Sequence, residues 1–400
     1  MYNGCKEVRH CLLYGPARSR KARPRADTAG RITTRHGIDS TVRKWQGERA
    51  VARPRIKDVA RHAGVSEKTV SNVINDYVHV SDRTRRVVRE AIDHLGYRVN
   101  LAGRHLRTGR SGVIALVVPE LDVPYFAELA RHVIRAAEEC SLTVLVHQSG
   151  GDRRHELAAL SGFGSDFVDG IILSPLALTS DDLRDNAGSP PTVLLGELLE
   201  EGADHVAIDN EQAAREATEH LIARGHRAIL VIGGRDEPGL GTAEARTRGY
   251  RAALAAAGIA HDAAALLPVG AFRMPDGAEA VHRVLNGGAR PDALLCLNDQ
   301  LALGALRALH EHGVRVPEDI AVMGFDDVEG GRFSVPTLST VAPDKGAVAK
   351  AAVQLLRHRI AEAARPRDGA DEPAPGTLSP QDRVVAHRLV LRESTEGAAR

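Results

Sequence analysis

The 400-residue chain is 43% apolar with a formal net charge of +1, enough to fill at least two buried cores and too apolar for a wholly disordered protein. No apolar run approaches the ~18 residues of a bilayer crossing, and the stretch CLLY at 11–14 is shorter than the ~7–15 residues of a signal-peptide core. The four cysteines, at 5, 11, 140 and 296, have neither metal-ligand spacing nor a disulfide framework, so a cytoplasmic protein without metal, cofactor or membrane partner is expected.

The small net charge hides an asymmetry. Residues 1–52 carry 12 basic and 4 acidic side chains, residues 53–110 carry 13 and 6, and residues 111–400 carry 28 and 42. A basic end joined to an acidic body suits a protein that touches phosphate with one end only. Residues 1–52 are rich in Arg, Gly and Pro without apolar periodicity, which predicts a disordered basic extension.

From residue 56 the pattern becomes helical. Val59, Ala60 and Ala63, then Val70, Val73 and Ile74, flank Gly64-Val65-Ser66, predicting two short helices at a tight turn that glycine can end and Ser66 can cap. That is the spacing of a helix-turn-helix, although an ordinary helical hairpin would show it too. Residues 81–96 add a third helix, with a capping Ser81, an apolar face of Val87, Val88, Ala91, Ile92 and Leu95, and a terminating Gly96. A short basic segment, LAGRHLRTGR, follows at 101–110, where Asn100 can cap a further turn of helix.

The ordered motifs IKDVARHAGVS, TVSNVIN, LGY and N-x-x-x-R-x-L-R-T-G-R resemble the DNA-binding headpiece and hinge of the Lac repressor (LacI/GalR) family. Members begin a few residues before the IKDVA motif, so the resemblance implies a mis-assigned start, with translation beginning near Val51. It also implies a helix-turn-helix domain over 54–99 and a hinge helix over 100–110. The DNA-binding residues expected on this basis are Lys57, Ser66, Glu67, Lys68, Thr69, Ser71 and Asn72 in the headpiece and Asn100, Arg104 and Leu106 in the hinge. Leu106 stands where family members wedge a leucine into the minor groove. Gly103 replaces the usual alanine and should cost the hinge helix about 1 kcal/mol.

Beyond the hinge, continuous apolar runs alternate with helical periodicity. Strands are predicted at 112–119, 142–146, 170–173, 192–195, 206–208, 228–232, 293–297 and 320–323, with helices between them at 126–140, 153–161, 211–224, 247–257 and 300–312. Such alternation predicts parallel sheets covered by helices on both faces, in two subdomains. The motifs PYFAEL, VAIDN, RTRGYRAAL, LNDQLALGALRAL, VPEDIAVMGFDD and PTLSTV extend the resemblance to the family's effector-binding core. The fold expected is therefore a small all-α helix-turn-helix headpiece plus an α/β periplasmic-binding-protein-like core of two doubly wound parallel-sheet subdomains over 111–394. The N-subdomain is placed at about 111–224 and 326–360, and the C-subdomain at about 225–325 and 383–394. A Pro/Gly/Asp-rich flexible loop is expected at 364–382. No leucine heptad follows Arg392, so a homodimer is expected.

Ligands of open α/β sheets bind at the carboxyl ends of strands. The resemblance places effector contacts at Tyr125, Phe126 and Arg246, and at Asp299, Asp209 and Phe272. Packing of Phe126 on the sheet and N-capping by Asp299 are the plain structural alternatives. Aromatic faces edged by Asp and Arg suit a sugar ring, and would hold a nucleobase similarly. No P-loop, G-x-S-x-G or H-E-x-x-H motif occurs, and no catalytic residue is expected. The reading is a transcriptional regulator, a repressor of a palindromic operator controlled by a small effector such as a sugar. A sugar-binding module without DNA activity and a purine-responsive co-repressed regulator are the alternatives.

Overall fold

The computed structural model describes residues 54–74, 77–97, 110–164, 167–186, 190–196, 204–235, 241–364 and 379–397. The extension at 1–52, the hinge residues 100–109 with Asn100, Arg104 and Leu106, and residues 365–378 of the expected loop lie outside them. The chain forms two compact units, residues 1–98 and 99–400.

In the first unit, α1 (Ile56–Ala63), α2 (Glu67–Ile74) and α3 (Asp82–Leu95) enclose a core of Val59, Ala60, Val70, Val73, Val88 and Ala91. Gly64 ends α1 at φ 66°, a left-handed conformation that costs glycine little. The Ser66 hydroxyl then accepts from the Thr69 amide at 3.1 Å, satisfying a free donor at the start of α2. The turn is thus built as its sequence dictates, by a left-handed stop and a polar cap.

The second unit contains two six-stranded sheets. The N-subdomain sheet has the order β11-β5-β4-β3-β1-β2, wholly parallel, from β1 (Val113–Val118), β2 (Thr143–Gln148), β3 (Gly170–Leu173), β4 (Thr192–Leu195), β5 (Asp204–Ile208) and β11 (Asp382–Val385). Its helices are α4 (Pro124–Glu138), α5 (Arg153–Leu160), α6 (Ser180–Asp185) and the long α12 (Lys345–Ala363). The C-subdomain sheet, β12-β10-β9-β8-β6-β7, comprises β6 (Ile229–Ile232), β7 (Leu266–Leu267), β8 (Ala293–Cys296), β9 (Ala321–Phe325), β10 (Ser339–Pro343) and β12 (His387–Val390), with only β12 antiparallel. Around it lie α7 (Asn210–Ala223), α8 (Thr242–Ala256), α9 (Met274–Asn286), α10 (Asp299–Glu311) and the short α11 (Glu329–Arg332) and α13 (Glu393–Glu396). Central strands such as β1 and β8 are buried throughout, which is why they read as unbroken apolar runs.

The subdomains repeat one device. Asp169, just before β3, accepts the Ser111 and Gly112 amides at 2.7 Å each; Asp292, just before β8, accepts the Arg227 and Ala228 amides at 2.7 and 3.0 Å. Each carboxylate thereby pins the approach to its sheet's first strand and satisfies amides at its edge.

The subdomain boundaries expected from sequence need correction. Helix α7 packs Ala213, Ala214, Ala217 and Leu221 into the C-subdomain core, so the chain first crosses at Asp209, not after residue 224. β9 and β10 pair with the C-subdomain sheet, which moves the second crossing from 326 to the Pro343–Asp344 step. The third falls between β11 and β12, at Ala386. Short parallel strands look alike in sequence, and only their pairing assigns them. Among the described residues no helix is long and apolar enough to cross a membrane.

Helices α9 and α10 approach so closely that an added Cβ on Gly304 would lie 1.9 Å from the Met274 carbonyl oxygen. Gly304→Ala should therefore destabilise the core by about 2–4 kcal/mol through forced separation of the two helices. Urea denaturation followed by far-ultraviolet circular dichroism checks this, and an unchanged midpoint would show that the helices part freely.

Candidate functional site

The loops at the carboxyl ends of the strands bring charged and aromatic groups of both subdomains together. Arg246, in the first turns of α8, is nine-tenths buried. Its Nε donates to Asn210 Oδ1 at 2.9 Å and its Nη1 to the Leu297 carbonyl, while its guanidinium lies 3.5 Å over the Phe325 ring. Nη2 is directed at Asp326, 3.8 Å from Oδ1. Asp326 follows β9 at φ 109°, a backbone region that favours glycine and that non-glycine residues occupy mainly where surrounding structure imposes it. Burial pushes its carboxyl up to about 6, against the opposing pull of Arg246 and Lys345. From the N-subdomain, Tyr125 stands in the first turn of α4, stacked edge-on with Phe126 at 5.3 Å. Burial raises the Tyr125 phenol well above its ordinary value, helped by the charge of Asp326 and opposed by that of Arg246, so it is a neutral hydrogen-bonding group at any physiological pH.

Of the six effector residues expected from sequence, the structure joins Tyr125 and Arg246 around Asp326, with Phe126 packed on Tyr125. Phe272, at φ 56°, is half-buried, and its carbonyl accepts from Asn298 Nδ2 at 2.9 Å. Asp209 is exposed at the first crossing, where its carboxylate caps α7 by accepting the Gln212 amide at 2.9 Å. Asp299 needs correction: it is fully enclosed. Its oxygens accept from Thr340 Oγ1 at 2.6 Å and the Val328 amide at 2.8 Å, and burial, then the nearby Asp326, pushes its carboxyl well upward. A Cβ on Gly324 would lie 2.3 Å from Asp299 Oδ1, so the glycine of GFDD makes room for that carboxyl. The N-cap of α10 is Asn298, not Asp299. Asp299 therefore supports the loop that carries Asp326 and presents nothing to solvent.

Asp326, Asn210 and Arg273 were missed. The GFDD motif after a strand was the available signal for Asp326, but which of the two aspartates faces the cleft depends on the backbone twist. Asp327 turns the other way, onto Arg392 Nη2 at 2.6 Å and Arg332 Nη2 at 2.9 Å; burial alone would raise its carboxyl, but these two arginines hold it below the ordinary range. Arg273, at the start of α9, reaches across the subdomains to Asp122, at 2.8 and 3.0 Å, and to Glu120. This fork joins the loop after β1 to the start of α9, next to Phe272 in the chain.

In the headpiece, Lys57, Ser66, Glu67 and Lys68 are exposed, whereas Thr69, Ser71 and Asn72 are half-buried and Thr69 is tied to the Ser66 hydroxyl at 2.9 Å. Val70 and Val73 face the core. The amino-terminal turn of α2 thus offers Glu67 and Lys68 outward, as a recognition helix must.

A helix-turn-helix unit and a two-subdomain α/β core with charged groups gathered between its sheets define a ligand-responsive DNA-binding regulator. Residues 55–100 match the family described as bacterial regulatory proteins, lacI family, and residues 218–395 match the periplasmic binding protein-like domain. The chain is 37% identical over 290 residues to the HTH-type transcriptional regulator AscG of Escherichia coli (strain K12), covering 71% of this chain and 85% of that protein. It is 34% identical over 307 residues to the HTH-type transcriptional repressor PurR of Haemophilus influenzae (strain PittEE), covering 76% and 90%. Among solved structures, a LacI-family regulator from Sanguibacter keddieii DSM 10542 aligns at 47% identity with a TM-score of 0.65, covering 72% of this chain and all of that one. The lac repressor dimer bound to operator and the anti-inducer ONPF aligns at 26% identity with a TM-score of 0.70, covering 86% and 99%. The chain belongs to the lacI family of bacterial transcriptional regulators.

Since burial outweighs Arg246 in setting the Asp326 equilibrium, the folded protein holds a proton there that the unfolded chain has lost. That contribution to stability is complete below about pH 4 and is lost as pH rises through about 6. Asp326→Asn should therefore match the wild type at pH 4 and exceed it above pH 6 by about 1–3 kcal/mol. Denaturation at both pH values tests this; a variant weaker at pH 7.5 would show that pairing with Arg246 outweighs burial.

Proposed function

We propose that this regulator is a repressor that binds a palindromic operator as a homodimer and is controlled by a small polar effector held between its subdomains by Tyr125, Arg246 and Asp326. The observation that carries the reading is the convergence of a buried guanidinium, a buried carboxyl and a neutral phenol from opposite subdomains. Forked donors, an acceptor and an aromatic face grip a polyhydroxylated ring, so a sugar is the effector class favoured. A solved complex of the regulator CelR with cellobiose, 32% identical with a TM-score of 0.61, supports that class. Arg246 is already held in place by Asn210 and the Leu297 carbonyl, so little ordering cost falls on the ligand. No catalytic step is assigned to the core.

Control operates as a population shift. A ligand that touches both subdomains favours one arrangement of them. Residue 110, next to the hinge, is tied to the N-subdomain by Arg110 Nη2 donating to the Ile360 carbonyl at 2.8 Å, and Ser111 is tied to Asp169. Rotation of that subdomain is thereby passed to the hinge, where Asn100, Arg104 and Leu106 are assigned to the operator centre. Screening sugars and purines for a thermal shift, then titrating operator with each hit, identifies the effector. Response to purines alone would replace the sugar reading with a purine co-repressor. Arg246→Ala should abolish the response to any hit while ligand-free operator binding survives, and loss of both would assign Arg246 a purely structural role.

In the headpiece, Lys68 is assigned to guanine O6 and N7, Asn72 to adenine and Glu67 to cytosine N4. Lys68→Ala should change the ranking of operator variants, with a penalty of about 1–3 kcal/mol at one base pair. Competition gel shifts over a panel of single-base variants read this, and an equal loss on every sequence would mean phosphate contact only.

A further inference from the structure

Besides the effector cleft, the core holds a cavity of about 410 Å³ whose lining includes neither Tyr125, Arg246 nor Asp326. It lies where the chain crosses between subdomains. Pro343 and Asp344 from the second crossing and Ala386 from the third contribute to its wall, and the two crossings are joined there by the Asp344 amide donating to the Ala386 carbonyl at 3.2 Å. Helix α4 closes one side with Arg131 and His132, and Arg332 and Arg388 belong to the C-subdomain side.

The charges of this wall do not cancel. Its three carboxylates are all engaged: Glu128 takes Lys345 Nζ at 2.6 Å and the Glu329 amide at 3.0 Å, Asp327 takes Arg332 and Arg392, and Asp344 caps α12 through the Ala347 amide at 2.9 Å. Arg131 and Arg388 have no carboxylate partner among the described residues. Lys345, 8% exposed, is already paired with Glu128, so the uncompensated charge of the wall rests on the two arginines. His132 reports the resulting field, its imidazole held below its ordinary value by burial and then by Arg131, Arg135 and Lys345, with only Asp344 opposing.

We propose that this cavity is a second ligand site that takes a small phosphomonoester, its phosphate gripped by Arg131 and Arg388. Forked guanidinium donors match phosphate oxygens. The volume exceeds that of a bare phosphate and falls within the ~300–1,000 Å³ usual for small-molecule pockets, so the ligand carries an organic part against Pro343 and Ala386. Because its wall joins two crossings to both subdomains, occupancy biases their arrangement independently of the effector cleft.

Calorimetric titration of the full-length protein without DNA tests the site, with glycerol 3-phosphate as the probe and glycerol and inorganic phosphate as references. Saturable binding of glycerol 3-phosphate, weaker binding of phosphate and none of glycerol are expected. Arg131→Gln and Arg388→Gln, both surface changes whose melting curves should match the wild type, should each weaken the probe roughly tenfold or more. Absence of saturable heat with the wild type overturns the proposal. Binding left unchanged by both variants also overturns it, by assigning the phosphate to the basic headpiece.

Discussion

A buried guanidinium and a buried carboxyl that face each other at 3.8 Å set the terms for this core. Taking both charges out of water costs several kcal/mol per ion unless each is well partnered. Arg246 meets that demand with a side-chain amide, a backbone carbonyl and the face of Phe325. Asp326 does not meet it within the folded protein, since its equilibrium lies on the raised side. Burial of that carboxyl is thus only partly offset by Arg246 and Lys345, and under the proposed function a hydroxyl-rich ligand supplies further donors.

Everything around that pair serves to hold it without filling it. Asp299 sits beneath, satisfied by Thr340 and the Val328 amide, and fixes the loop that presents Asp326. Asp327 turns outward to two arginines. Three crossings join the two sheets, and contacts between the subdomains tie them further: the Arg273 fork, the Glu329 amide on Glu128 and Lys345 Nζ on the Asp327 carbonyl. The members of the Arg273 fork are partly exposed, so it is worth little on its own.

The fold was legible because both its periodicities are strong. Gly64, Ser66 and the flanking valines announce the helix-turn-helix, and strands such as residues 113–118 announce a sheet buried on both faces. The family resemblance pointed to Tyr125 and Arg246, which the structure places around Asp326. What could not be read was pairing and twist. β10 and β11 are short, and nothing in their residues says which sheet they join; the second crossing was misplaced for that reason. The resemblance placed Asp299 at the effector, with N-capping as the structural alternative, whereas the structure encloses it in a space that Gly324 leaves open. Asp326 owes its direction to a positive φ that no side chain reports.

The account stands on coupling between cleft and operator, and reciprocity gives its most direct test. The affinity of the identified effector should be measured by calorimetry for the free dimer and for the dimer saturated with operator. The ratio of the two affinities must equal the ratio by which that effector changes operator affinity, and both should differ from unity by roughly fivefold or more in the same direction. Equal effector affinity with and without operator would contradict the account, however tightly the ligand binds.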